Sequence, residues 1–137
     1  YEGNIKETKS IIRDGFIYTG DIGVLDNKGF LSITDRKKDV IFVKGFNVFP
    51  REIEELLMSQ SNISSVCVVG KQDDQSGETP VAFITVKDNV DISIIKRYCE
   101  DTMLPYKVPS EFIVLENLPL TPTKKVDRVA LKDRLFL

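Results

Sequence analysis

The sequence predicts an α+β fold: a small three-stranded sheet packed with two or three helices, preceded by a β-hairpin. Three observations carry this. Val66-Cys67-Val68-Val69-Gly70 and Pro80-Val81-Ala82-Phe83-Ile84-Thr85-Val86 are β-branched runs too continuous for a strand with one solvated face, so they belong at the centre of a sheet. Around them lie segments of helical periodicity, with Ile53, Leu56 and Leu57 at i, i+3 and i+4 after Pro50, and a second set after Asp91. The strands and helices follow no strict βαβ repeat, which suggests an α+β domain.

Taken in order, residues 1–17 read as polar and irregular, with Asp14-Gly15 as a turn before a short strand at Phe16-Ile17-Tyr18. Gly23-Val24-Leu25 and Phe30-Leu31-Ser32-Ile33 flank Asp26-Asn27-Lys28-Gly29, a turn-rich connection that predicts a hairpin. A charged run, Asp35-Arg36-Lys37-Lys38-Asp39, leads to an apolar strand at Val40 to Val43 and a Lys44-Gly45 turn. Pro50 suits the first helical position, where its missing N–H has no partner to lose, and the acidic residues of that helix's first turns suit its dipole. Asp91 is placed to cap a helix carrying Ile92, Ile95, Tyr98, Cys99 and Met103, which must stop before Pro105. Glu111 to Leu115 is a further strand, and Asp127 caps a last helix through Leu135.

Composition narrows the function. At 137 residues and 42% hydrophobic content there is enough for one modest core and a short appendage. Nineteen basic and 21 acidic residues give a net charge of −2, so no overall field favours nucleic acid or anionic lipid. No apolar run approaches the roughly 18 residues of a transmembrane segment and the start is no signal peptide, which points to a cytoplasmic protein. Cys67 and Cys99 sit in apolar patterns without CxxC spacing and read as buried small hydrophobes, not as a disulfide or metal site. There is no histidine, so chemistry must run on Lys, Arg, Asp, Glu and backbone groups.

Three blocks then stand in order: Tyr18-Thr19-Gly20-Asp21-Ile22; the stretch from Asp35-Arg36-Lys37-Lys38-Asp39 through Lys44-Gly45-Phe46-Asn47-Val48 to Pro50-Arg51-Glu52-Ile53-Glu54; and Pro122-Thr123-Lys124-Lys125-Val126-Asp127-Arg128. Together they resemble the junction and C-terminal domain of the adenylate-forming enzymes, the superfamily of acyl-CoA and aryl-CoA synthetases, peptide-synthetase adenylation domains and beetle luciferases. The resemblance covers essentially the whole chain. It implies that residues 1–34 close a larger N-terminal domain, that 35–137 form a mobile C-terminal domain, and that Asp35 is the hinge, where the backbone turns as one domain rotates. The Tyr1 start looks like a cut inside a longer protein.

The resemblance also assigns roles, each beside a plainer reading. Asp21 would accept hydrogen bonds from the ribose hydroxyls of ATP, or simply stabilise its turn. Arg36 would reach the same ribose, or belong with Lys37 and Lys38 to a solvated charge run. Lys125 would be catalytic. When a carboxylate attacks the α-phosphorus of ATP, negative charge builds on the phosphoryl oxygens, and an ammonium there stabilises the transition state more than the separated reactants. Otherwise Lys125 is a surface lysine. Lys44, Gly45 and Phe46 would enter the site after rotation, with Lys44 counted as catalytic and Gly45 and Phe46 lining the tunnel for the pantetheine arm; the same residues fit a tight turn that needs Gly for backbone reasons alone. The family usually has Gly before the catalytic lysine, and here Lys124 stands there. A positive φ at that position would strain a lysine by roughly 1 kcal/mol or more.

The reading that results is the C-terminal part of an AMP-forming acyl-CoA synthetase using a carboxylic acid, ATP with Mg2+, and CoA, with its own N-terminal domain as partner. A carrier-loading adenylation domain and a non-catalytic binding module are the alternatives. The chain holds no phosphate loop of the Ser/Thr-Gly-Thr-Thr-Gly type, so alone it should be inactive.

Overall fold

The computed structural model describes residues 3–136, which divide into two compact units, the division falling between Lys38 and Asp39. The first unit begins with helix α1 (Ile5–Ile11), capped where the Asn4 side chain accepts from the Glu7 N–H at 3.2 Å. This corrects the expectation of an irregular start. The helix buries none of its residues, so it has no apolar stripe to betray it. Strands β1 (Ile12–Arg13) and β2 (Phe16–Ile17) then pair across Asp14-Gly15, where both φ values are positive (50° and 80°), as a two-residue primed turn requires. The predicted hairpin follows as β3 (Asp21–Leu25) and β4 (Leu31–Arg36), which pair antiparallel from Asp21 opposite Arg36 to Leu25 opposite Leu31. The Asp26 carboxylate closes its turn by accepting from the Lys28 and Phe30 N–H groups at 2.8 and 2.9 Å.

The second unit is a five-stranded sheet with helices on both faces. Its strands are β5 (Ile41–Val43), β6 (Phe46–Val48), β7 (Ile63–Asp73), β8 (Gly77–Val86) and β9 (Glu111–Val114). β8 is central. One of its edges pairs antiparallel with β7 along the whole length, and the other carries β9 in parallel and, at Gly77, β5, which pairs with β6. The α+β class is as predicted, but five strands form where three were expected. The strand least visible in the sequence is β6: Phe46 and Asn47 are exposed and Val48 alone is buried, so it shows neither an apolar run nor a full alternation.

Alternation along β7 and β8 divides the core in two. Val68, Ala82 and Ile84 face helix α2 (Pro50–Met58) and helix α3 (Ile92–Thr102), meeting Ile53, Leu57, Ile95 and Cys99. Cys67, Val69, Val81 and Phe83 face the other way, meeting Leu118 and Leu131 of helix α4 (Arg128–Arg134). Each fully buried Val, Leu, Ile or Phe among these contributes about 1.5–3 kcal/mol relative to exposure. Pro50 stands at the start of α2, and Asp91 and Asp127 cap α3 and α4 by accepting from Ser93 N and Ala130 N at 2.9 and 3.0 Å, as the sequence predicts. Both cysteines are free and buried. No helix among the described residues is long and apolar enough to cross a membrane.

Candidate functional site

In the first unit the β3–β4 register sets Asp21 directly opposite Arg36, and the Arg36 Nε lies 3.4 Å from Asp21 Oδ1. The two side chains singled out for a nucleotide ribose are thus brought together by strand pairing alone. Both keep access to solvent, so the carboxylate retains lone pairs for hydroxyl donors and the guanidinium retains N–H groups. Asp35, one residue earlier, is buried, and its Oδ1 accepts from the Arg36 N–H at 2.7 Å. A carboxylate held that way fixes the backbone at the end of β4.

In the second unit Lys44-Gly45 joins β5 to β6 as a two-residue turn with φ of 49° and 84°. That backbone by itself accounts for Gly45. A side-chain carbon at Gly45 would meet no atom within 4 Å, so it is the backbone conformation and not crowding that favours glycine there. The Lys44 N–H donates to the Ser76 carbonyl at 2.7 Å, which ties the turn to the β7–β8 connection. There the Asp73 carboxyl is held below the usual carboxylate range by hydrogen bonds from the Ser76 hydroxyl and N–H, with the Lys44 charge adding a little. Phe46 is 53% exposed, yet its ring stacks on Tyr106 with centroids 4.4 Å apart and planes 13° from parallel.

Lys125 lies in a second small hairpin. Leu120 and Val126 form an antiparallel bridge, the Thr121 N–H donates to the Lys125 carbonyl at 2.7 Å, and the Lys124 N–H donates to the Thr121 carbonyl at 2.9 Å. Lys124 has φ of +61°. A type I turn closed by one left-handed residue has this bonding pattern, and glycine is its usual occupant at that position. The strain anticipated for Lys124 is therefore present. The Lys125 ammonium is exposed and pairs with no carboxylate among the described residues, so it is available to an anion.

The structure does not gather these residues at one point. The Lys125 hairpin is rooted through Leu118 and Val126 in the core on the α4 side of the sheet. The Lys44–Phe46 turn is rooted through Val43, Val48 and Tyr106 in the core on the α2–α3 side. Two residues that sequence reasoning passed over matter here. Arg128, directly after the Lys125 hairpin, donates to the Val68 carbonyl and to Glu54 Oε1, each at 2.7 Å, and lies 3.9 Å from Asp39. These partners are 60 and 74 positions away for Val68 and Glu54, so no local pattern reveals them. Tyr106 is the other, hidden because its ring meets a residue from a different strand. Among the described residues no three His, Cys, Asp or Glu side chains cluster as a metal site.

The arrangement of this sheet and its helices is that of solved members of the adenylate-forming superfamily. The chain belongs to the AMP-binding enzyme C-terminal domain family, whose model matches residues 52–125. A 2-succinylbenzoate–CoA ligase of Listeria monocytogenes is 39% identical over 134 residues, 98% of this chain and 29% of the relative. The o-succinylbenzoate CoA synthetase of Bacillus subtilis, solved with its acyl-adenylate intermediate, superposes with a TM-score of 0.89 at 34% identity, covering 96% of this chain and 27% of that one. A fatty acyl CoA synthetase of Mycobacterium tuberculosis superposes at 0.74 and 35% identity, with 94% and 26% covered. The chain thus spans under a third of the length of these relatives.

Proposed function

We propose that this chain is the C-terminal part of an AMP-forming acid–CoA ligase. The observation that carries the reading is its similarity, along almost its entire length, to CoA ligases. In the first half-reaction a substrate carboxylate oxygen attacks the α-phosphorus of ATP, and the bond to pyrophosphate breaks as acyl-AMP forms. The Lys125 ammonium, left unpaired on its exposed hairpin, stabilises the charge that develops on the phosphoryl oxygens. Asp21, with Arg36 beside it, accepts from the ribose hydroxyls. Mg2+ enters with the ATP phosphates, and the acid is chosen by the protein's N-terminal domain.

In the second half-reaction the CoA sulfur attacks the acyl carbon, the bond to AMP breaks, and a thioester forms. Two roots on opposite faces of one sheet support this division of labour, because a rigid domain carrying Lys125 on one side and Lys44–Phe46 on the other must turn to present each. We place the pivot at Asp35 and the enzyme in the cytoplasm. Without the N-terminal domain the chain is inactive.

The test is pyrophosphate release by the full-length protein against a panel of carboxylic acids that includes 2-succinylbenzoate, with and without CoA, for wild type and Lys125→Ala. Acid-dependent release that turns over only with CoA supports the ligase, and release that turns over without CoA contradicts it. Lys125→Ala should lose adenylate formation yet retain thioester formation from supplied acyl-AMP. Equal loss of both steps would sink the assignment of Lys125 to the first.

A further inference from the structure

We propose that Tyr106 is a positioning residue for thioester formation: its ring holds the Phe46 ring, and through it the Lys44–Phe46 turn, in the shape past which the pantetheine arm moves. The inference rests on the role given to that turn above.

β5 and β6 are three residues each, and their bonds to the rest of the sheet fall on β5 and the first residue of the turn: the Val43–Gly77 pairing, the Phe42 N–H to the Glu78 carboxylate and the Lys44 N–H to the Ser76 carbonyl. A half-exposed phenyl ring at the start of β6 would ordinarily sample several rotamers. Stacking restricts that freedom, since aromatic pairs favour a narrow set of arrangements, offset-stacked or edge-to-face, and these two rings lie near parallel. A platform works only if it is itself fixed, and Tyr106 is fixed three ways. It sits in a single 3-10 turn, Pro105–Lys107, whose first φ is preset by proline. Its ring packs on the core shared with α2 and α3. Its neighbour Lys107 donates from Nζ to both carboxylate oxygens of Glu52, at 2.7 and 2.9 Å, in the first turn of α2.

Because α2 starts two residues after β6, the chain that leaves the hairpin and the 3-10 turn that supports it are fastened to each other. The Tyr106 hydroxyl makes no hydrogen bond among the described residues, so the ring and not the phenol does the positioning. Thiol attack on an acyl carbon needs the reacting atoms held near van der Waals contact in one orientation, and a loosened wall of the thiol's channel degrades that. Adenylation does not use this turn.

The experiment measures the two half-reactions separately in the full-length enzyme: pyrophosphate release for adenylation, and thioester formation from supplied acyl-AMP with CoA varied. Tyr106→Ala should lower kcat/KM for CoA by about tenfold while leaving adenylation within about twofold, and Tyr106→Phe should match wild type. Tyr106→Leu keeps apolar bulk on the core but no flat ring, so it should behave as Tyr106→Ala and covers the case in which that variant does not fold. Phe46→Ala, run alongside, separates the two levels of the argument. If Phe46→Ala slows thioester formation and the Tyr106 variants do not, the positioning role is overturned and the turn's role stands. If none of them slows it, the reading of the turn itself falls. Equal slowing of both half-reactions by Tyr106→Ala would mark the residue as structural only and overturn the proposal.

Discussion

The two units of this chain are built on opposite terms. Asp39–Leu137 contains all the buried hydrophobic side chains of the described residues, from Ile41 to Leu131. Tyr1–Lys38 buries one described residue, Asp35, and exposes Phe16, Phe30 and Leu31. Both units have well-registered antiparallel ladders. The difference teaches that hydrogen-bonded pairing defines a hairpin's shape but not its stability, because an isolated two-stranded ribbon covers too little apolar surface. The second unit holds its own core, and the first has none among its described residues.

The sharpest way to break this comparison is to truncate one large aromatic in each unit. Phe83→Ala should destabilise the 137-residue chain by about 3–5 kcal/mol in urea unfolding, since Phe83 is 1% exposed between β8 and α4. Phe30→Ala, in the first unit, should stay within about 0.5 kcal/mol. Comparable losses would mean that the first unit melts as part of the same cooperative core.

The next effect is electrostatic. Arg128→Ala leaves the Val68 carbonyl and the mostly buried Glu54 carboxylate without their cation and should cost about 1–3 kcal/mol, with Arg128→Ala and Glu54→Gln coupled in a double-mutant cycle. Arg36→Ala breaks a more exposed pair and should cost at most about 0.5 kcal/mol. Smaller again is the release of backbone strain. Lys124→Gly should raise the unfolding free energy by up to about 1 kcal/mol, whereas Asp14→Gly, with a similar positive φ but in the first unit, should leave that transition where it is.

An effect silent at neutral pH concerns the thiols, both of which lie in the second unit. Burial pushes Cys67 up to about 12 and Cys99 up to about 11, from an ordinary 9.0. Above that ordinary value the thiols of the unfolded chain ionise while those of the folded chain stay protonated. Their stabilisation is therefore complete below about 9 and shrinks as pH rises toward the folded values. Cys67→Ala should flatten the alkaline fall of the urea midpoint, and an unchanged slope would show that the thiol is not the group responsible.

Much of this architecture was legible in the chain because its signals are local. Pro50, Asp91 and Asp127 announce helix starts, and the apolar runs around Val68 and Phe83 announce the sheet centre. Asp21 and Arg36 were legible as separate residues; their pairing required the β3–β4 register. What stayed hidden is what depends on distant partners or on too few residues. α1 has no apolar stripe, β6 has one buried side chain, and the supports of Arg128 and Tyr106 come from other elements. The strain at Lys124 was legible only through a resemblance that expects glycine there.

Adjacent residues within β7 and β8 answer to different turns: Cys67 and Phe83 underlie the side bearing Lys125, Val68 and Ala82 the side bearing Phe46. The sheet is therefore a partition as well as a scaffold. Substitutions that repack one side need not be compensated on the other, so a lineage can retune the surroundings of one turn while inheriting the other unchanged.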